Sequence, residues 1–125
     1  MKIKAPHSVQ IGPRRFKIEY KKKVFQTGTK EELSGACSAI QQLIEISLEE
    51  ALTKALLFDT VFHEFCHGML YVSGQSERLT DEHEEGLVIM MENYIAPLID
   101  WKSPIWGDWK SVELIPKKEQ EDANN

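Results

Sequence analysis

Alternating apolar and charged positions dominate the first part of the chain. Phe16, Ile18 and Tyr20 fall on one side of an extended segment, and charged residues fall on the other side. A period of two is typical of a half-buried strand. Turn-forming residues follow at 26–36, and a second extended segment runs over 38–46. The pattern therefore predicts a small antiparallel sheet in the first half of the chain.

Helical spacing replaces this alternation in the middle of the chain. Ser47 and Glu50 have the spacing of a capping box, which predicts that a helix begins there. Neither Pro nor Gly interrupts the following residues as far as His67, and Ser73 with Gly74 offers a C-terminal stop. Apolar residues occur on more than one side of this helix, so we expect it to lie in the centre of the fold.

A second helix is predicted to begin after Thr80, which can cap an acidic first turn. Its apolar residues form one face, and Pro97 should end or kink it. The predicted fold class is therefore α+β, with a small antiparallel sheet packed on a central helix and a second helix beside it. Residues 1–116 are expected to form a single domain, and the polar residues 117–125 a disordered tail.

Length and composition agree with one globular domain. The chain has 125 residues, of which 42% are hydrophobic and 28% charged. No segment has the roughly 20 apolar residues of a membrane span, and the first ten residues lack the apolar stretch of a signal peptide. Cys37 and Cys66 are too few for a disulfide framework, so we expect free thiols and a cytoplasmic location, with no membrane partner.

Charge is unevenly distributed along the chain. The net charge is -5, yet residues 1–30 contain nine Lys or Arg and one acidic residue, whereas residues 31–125 contain six basic and nineteen acidic residues. A basic surface of this kind can bind nucleic acid or an acidic partner. Lysines on an exposed strand also serve for solvation and edge protection alone, and we favour that simpler interpretation.

One motif within the first predicted helix has residues suited to metal chemistry. His63 and His67 are four residues apart, so both imidazoles lie on one face of a helix and can bind the same ion. Zinc suits this donor set. Glu64 points to a neighbouring sector, where its carboxylate can act as general base on zinc-bound water without occupying a coordination position. Without a metal, burial of these three side chains would carry a large desolvation cost.

A catalytic zinc usually has three protein ligands, so we expect the third donor on the second helix. Glu84 shares a face with the apolar residues of that helix and should point toward the first helix, whereas Glu85 lies nearer the outer side. We therefore assign the third ligand to Glu84. His83 is less favoured as a ligand, and it can instead serve as a proton donor near the site or be exposed.

A small sheet, a His-Glu-x-x-His helix and a second helix that supplies a glutamate resemble the minimal zincins of the gluzincin group. The similarity is greatest to the short metallopeptidases of phages and prophages and to the ImmA/IrrE type. It covers about residues 12–99 and is strongest at Thr-Val-Phe-His-Glu-Phe-Cys-His-Gly (60–68) and Glu-Glu-Gly-Leu-Val (84–88). The resemblance implies that zinc is bound by His63, His67 and Glu84. It also implies that Glu64 is the general base.

The chain departs from this family at one position. Thermolysin-like members often have an acidic or amide residue four positions after the glutamate ligand, where this chain has Val88. The hydrogen-bond partners of the two histidines are therefore left unassigned.

These residues predict a zinc-dependent metallopeptidase that hydrolyses a peptide or protein substrate. Tyr71, His83 and Tyr94 are candidates to stabilise the oxyanion, and the sequence does not rank them. The alternative is a non-catalytic, zinc-stabilised regulatory protein that contacts nucleic acid or an acidic protein through its basic N-terminal strand region. A metal-dependent hydrolase with another kind of substrate is a third hypothesis, because the motif alone does not define the substrate.

Overall fold

A mixed five-stranded sheet and two helices form the centre of the fold. The computed structural model describes residues 1–51 and 53–115. Within them the helices are α1 (Lys54–Val72) and α2 (Asp81–Tyr94), and 3-10 turns lie at Gln75–Arg78 and Ala96–Leu98. The strands are β1 (Lys2–Ala5), β2 (Ser8–Ile11), β3 (Arg14–Lys21), β4 (Val24–Phe25), β5 (Glu32–Leu33), β6 (Gly35–Ser38), β7 (Leu43–Ser47), β8 (Trp106–Gly107) and β9 (Lys110–Glu113). The predicted tail, 117–125, lies outside the described residues.

Strand order in the main sheet is β6-β7-β3-β2-β8. β3 and β7 run parallel, with Ile18 beside Ile44, and the other neighbours in this sheet are antiparallel. β1 with β9 and β4 with β5 form two further antiparallel pairs. The predicted α+β class is confirmed, although the sheet is mixed rather than wholly antiparallel. Alternation of apolar and polar residues is the same in parallel and antiparallel strands, so the sequence pattern did not distinguish them.

The first predicted strand is confirmed, and the second is divided. In β3, Phe16 and Ile18 are buried in the core, while charged side chains occupy the other face. Of the extended segment predicted over 38–46, Ser38 ends β6 and residues 43–46 belong to β7, and a turn at 39–42 joins these two antiparallel strands. β5 and the first residues of β6 also lie within the region that the pattern assigned to loop.

The first helix begins later than the capping-box pattern predicts. Ser47 is the last residue of β7, and its N–H donates to the Ser34 carbonyl at 2.9 Å. The helix starts at Lys54, where the Thr53 hydroxyl accepts from the Leu56 N–H at 3.2 Å. β7 extends through Ser47 because its isoleucines are buried and because it pairs with β6 on one side and β3 on the other. Ser47 therefore does not cap a helix, although its spacing from Glu50 fits a capping box.

The predicted end of this helix is confirmed. Ser73 is the C-cap, and its N–H donates to the Met69 carbonyl at 3.0 Å. Gly74 follows with φ 81°, a left-handed conformation that glycine adopts without a steric penalty.

α1 lies against the sheet and leaves its opposite side for α2. Leu57, Val61 and Cys66 are buried in the core. Gly68 permits a close approach to β2, because a Cβ atom there would lie 2.6 Å from the Ile11 Cδ1. α2 then packs on α1 through the fully buried Val88. The helix is therefore central, as its apolar pattern predicts.

The second helix begins where the sequence predicts. The Thr80 hydroxyl accepts from the His83 N–H at 3.1 Å, and Asp81 opens the first turn. The helix ends at Tyr94, and Pro97 lies in the following 3-10 turn, where its missing N–H is tolerated.

Tryptophans attach the C-terminal segment to α1. The Trp101 ring lies 4.6 Å from the Phe58 ring and 4.4 Å from Trp106, measured between centroids, and Trp106 lies 5.1 Å from Phe65. Among the described helices, none has the length and apolar character needed to cross a membrane.

Replacement of Thr53 tests the observed helix start. Thr53→Ala should lower the free energy of unfolding by about 1 kcal/mol, because the Leu56 N–H loses its side-chain acceptor. Thr53→Ser retains the hydroxyl and should remain close to wild type. Urea denaturation of the two variants measures the difference, and equal stability would show that Thr53 does not cap the helix.

Candidate metal centre

Two histidines of α1 face one carboxylate of α2. His63 Nε2 lies 2.9 Å from Glu85 Oε1, and His67 Nε2 lies 3.1 Å from Glu85 Oε2. The imidazoles are one helical turn apart, with ring centroids separated by 5.1 Å. The predicted placement of both histidines on one face of a helix is therefore confirmed, and their Nε2 atoms point to the same place.

Two further carboxylates hold the opposite nitrogen of each ring. His63 Nδ1 lies 2.9 Å from Glu92 Oε2, and His67 Nδ1 lies 2.6 Å from Glu84 Oε2. With each Nδ1–H donating to its carboxylate, the Nε2 lone pairs face Glu85. A carboxylate that orients a histidine in this way is the usual outer partner of a metal-binding imidazole.

This arrangement requires positive charge on the Nε2 side. Two nitrogen lone pairs facing a carboxylate at about 3 Å repel it unless protons or a cation lie between them. Burial lowers the pKa of His63, but the hydrogen bond that it donates to Glu92 and the charges of Glu64 and Glu85 outweigh burial, so the pKa is raised. The surroundings of the His63 imidazole therefore favour positive charge at this position.

The three facing residues carry the donor atoms of a metal site. The donor atoms of His63, His67 and Glu85 all lie within 4.8 Å of one another. Zinc bonds to nitrogen and oxygen at about 2.0–2.2 Å, which places the donors of a tetrahedral site about 3.3–3.6 Å apart. Two histidines with one glutamate are a known catalytic donor set for zinc.

Glu85 occupies the place that the helix-face argument assigned to Glu84. That argument located Glu84 correctly on the inner face, where the residue is 7% exposed. The inner position puts its carboxylate behind His67, on the Nδ1 side. The Glu85 side chain is 48% exposed and reaches both Nε2 atoms from the open side. We therefore favour Glu85 over the predicted Glu84 as the third donor, because a donor must approach from the side on which the lone pairs lie.

Glu64 borders the same cleft but stands apart from the facing donors. It is 7% exposed, and within the described part of the chain its carboxylate makes no hydrogen bond. Burial raises the pKa of Glu64, and the charges of His63 and His67 oppose that rise. The carboxylate lies against Gly35 of β6, where a Cβ atom would approach its Cγ to 3.0 Å. The glycine thus leaves space for the Glu64 carboxylate.

The cleft lies between α1, α2 and the edge of the sheet. Besides the motif and acidic residues already described, its walls are formed by Leu33, Ser34, Gly35 and Thr60. Because β6 is the first strand in the sheet order, its outer edge is not covered by another strand of that sheet.

The three oxyanion candidates lie away from the walls of this cleft. Tyr71 stacks on His67, with ring centroids 6.1 Å apart, and burial together with the charge of Glu84 raises its pKa to about 12. His83 and Tyr94 are exposed on α2.

Glu92 is the site residue that the sequence analysis missed. It follows Glu85 by seven residues, which is two turns of helix, so both project from similar sectors of α2. Extending the search for acidic residues along that helix by two turns would have found it.

Three lysines of the basic N-terminal region, Lys17, Lys21 and Lys23, pair with acidic side chains. Lys21 contacts Glu19 at 3.7 Å and also pairs with Glu45, and Lys23 lies 3.3 Å from Glu32. These pairs reduce the positive charge that the sequence places on this surface. Binding of nucleic acid or an acidic partner remains a prediction.

Comparison with known proteins finds no matching family model, curated protein or solved structure. The resemblance to minimal zincins therefore remains a hypothesis based on the motif.

Substitution of the neighbouring glutamates tests the ligand assignment. Glu85→Ala should abolish stoichiometric zinc binding because it removes a donor, whereas Glu84→Ala should weaken binding by about 10- to 100-fold through loss of an orienting carboxylate. Glu82→Ala removes the same charge from an exposed position of the same turn and should have little effect. Competition with a chelator measures the affinities. A greater loss for Glu84→Ala than for Glu85→Ala would contradict the assignment.

Proposed function

We propose that this protein is a zinc-dependent metallopeptidase, with zinc held by His63, His67 and Glu85. One observation carries the proposal: beside two converging imidazoles lies Glu64, a buried carboxylate without a hydrogen-bond partner among the described residues. An unpaired carboxylate that borders a cleft is suited to accepting a proton from a bound molecule.

Each residue of the site has a separate role in the proposed reaction. Zinc, when bound, supplies a Lewis acid that polarises a carbonyl and makes water nucleophilic near neutral pH. Glu64 accepts a proton from the attacking water and passes it to the leaving amine. Its raised pKa suits this role, because a carboxyl must hold the proton briefly before it is transferred. Glu84 and Glu92 keep the imidazoles oriented.

An extended peptide is the substrate that suits the shape of the cleft. The edge strand β6 lies beside Glu64, and main-chain groups of a peptide can pair with a strand at the edge of a sheet. Gly35 presents no side chain to obstruct the approach. Pairing through the main chain recognises a peptide bond rather than a particular side chain, so it favours peptide hydrolysis over another metal-dependent reaction.

The alternative of a non-catalytic regulatory protein has less support. A purely structural zinc site does not need a base beside the metal, and the basic surface that would contact nucleic acid is partly neutralised. We place the proposed peptidase in the cytoplasm, because Cys37 and Cys66 are free thiols.

Replacement of the proposed base tests the reaction. Glu64→Gln preserves shape but cannot accept a proton, so it should retain zinc while peptide cleavage falls by about 100- to 10,000-fold. A proteomic cleavage screen that compares wild type and variant supplies the activity, and metal analysis supplies the zinc content.

Three results would contradict this proposal. Loss of zinc in Glu64→Gln would make Glu64 a ligand, and full cleavage by that variant would place catalysis elsewhere. A wild-type protein that binds zinc tightly and cleaves no peptide would favour the regulatory alternative.

A further inference from the structure

We propose that Ser76 is a positioning residue for the metal centre, acting through Glu84 on His67. The inference rests on the zinc site of the proposed function but not on peptide cleavage. The Ser76 hydroxyl donates to Glu84 Oε1, and Glu84 Oε2 lies 2.6 Å from His67 Nδ1. A connected path therefore runs from the segment between the helices to an imidazole at the metal site.

The conformation of this segment places Ser76 over α2. Gly74 turns the chain out of α1 through its left-handed conformation, and the 3-10 turn Gln75–Arg78 follows at once. The Leu79 N–H donates to the Ser76 carbonyl at 3.3 Å and closes this turn. The hydroxyl consequently lies beside a carboxylate eight residues further along the chain.

The buried position of Glu84 explains the need for this hydroxyl. A carboxylate that is 7% exposed must satisfy both oxygens within the protein, and His67 occupies only one of them. Ser76 satisfies the other oxygen and also limits rotation of the carboxylate.

The partner of the other histidine has a different environment. The Glu92 side chain is 25% exposed, so water can solvate its remaining oxygen. Only the His67 branch therefore depends on a hydroxyl from the segment between the helices. The segment between the helices also determines where α2 begins. The Ser76–Glu84 hydrogen bond therefore links the position of Glu85, which lies on α2, to the orientation of His67.

Ser76→Ala tests the inference on the full chain, with Ser73→Ala as the matched control. Ser73 lies at the same helix end, and its hydroxyl donates to the Leu70 carbonyl rather than to the site. We expect Ser76→Ala to weaken zinc binding by about tenfold, at the lower end of the effect of an outer partner. Ser73→Ala should bind as wild type, and Ser76→Thr should restore most of the affinity because it retains the hydroxyl.

Two further measurements separate positioning from general stability. The absorption spectrum of bound Co²⁺ should change in Ser76→Ala and not in Ser73→Ala, because it reports the geometry of the ligands. In a Glu84→Ala background, Ser76→Ala should have no additional effect on zinc affinity, because the path is already broken. The inference would be overturned if Ser76→Ala had the zinc affinity and Co²⁺ spectrum of wild type. It would also be overturned if Ser73→Ala lost as much zinc affinity as Ser76→Ala, or if Ser76→Ala weakened zinc binding equally in the Glu84→Ala background.

Failure of the inference can be distinguished from failure of the proposed function. If Ser76→Ala weakens zinc binding while wild type cleaves no peptide, the positioning role stands and the peptidase proposal fails. If Ser76→Ala leaves the metal unaffected while Glu64→Gln abolishes cleavage, only the positioning role fails. A wild-type protein that binds no zinc would overturn both.

Discussion

The balance of charge around two imidazoles is the constraint on which this structure depends. Four carboxylates surround these rings: Glu64, Glu84, Glu85 and Glu92. Two of them are nearly buried, where water cannot stabilise their charge as it does at a surface. A site of this kind is stable only with protons or a cation at its centre, and a divalent metal supplies that charge while leaving the imidazoles neutral.

The scaffold places each of these groups at a fixed distance from the others. Close contact between Gly68 and β2 holds α1 on the sheet, and buried Val88 holds α2 on α1. The segment between the helices then determines which residues of α2 face the histidines. Because the same packing brings the edge strand β6 against Glu64, the proposed metal site, base and peptide-binding edge depend on one arrangement of core contacts.

The parts of the site that could be predicted from sequence are those determined within one element. The separation of His63 and His67 follows from helix geometry, and Thr80 caps its helix through contacts three residues away. The choice between Glu84 and Glu85 depends on how α2 is rotated about its axis against α1. The spacing of apolar residues predicts which side of α2 faces α1, but not which of two neighbouring residues meets the histidines. The sequence correctly placed Glu84 on the inner face of α2. The Nε2 lone pairs of the histidines, however, point toward its exposed neighbour, Glu85. The helix start and the parallel strand pair were missed for a similar reason, since pairing between distant segments overrides local signals.

Anomalous diffraction at the zinc absorption edge, on crystals of the zinc-loaded full chain, is the most direct test of the central claim. The account predicts one strong peak bonded to His63 Nε2, His67 Nε2 and a Glu85 oxygen at about 2.0–2.2 Å. Glu84 and Glu92 should remain on the Nδ1 atoms, outside the coordination sphere. A peak bonded to Glu84 in place of Glu85, or a peak at the cysteines with none between the histidines, would contradict it.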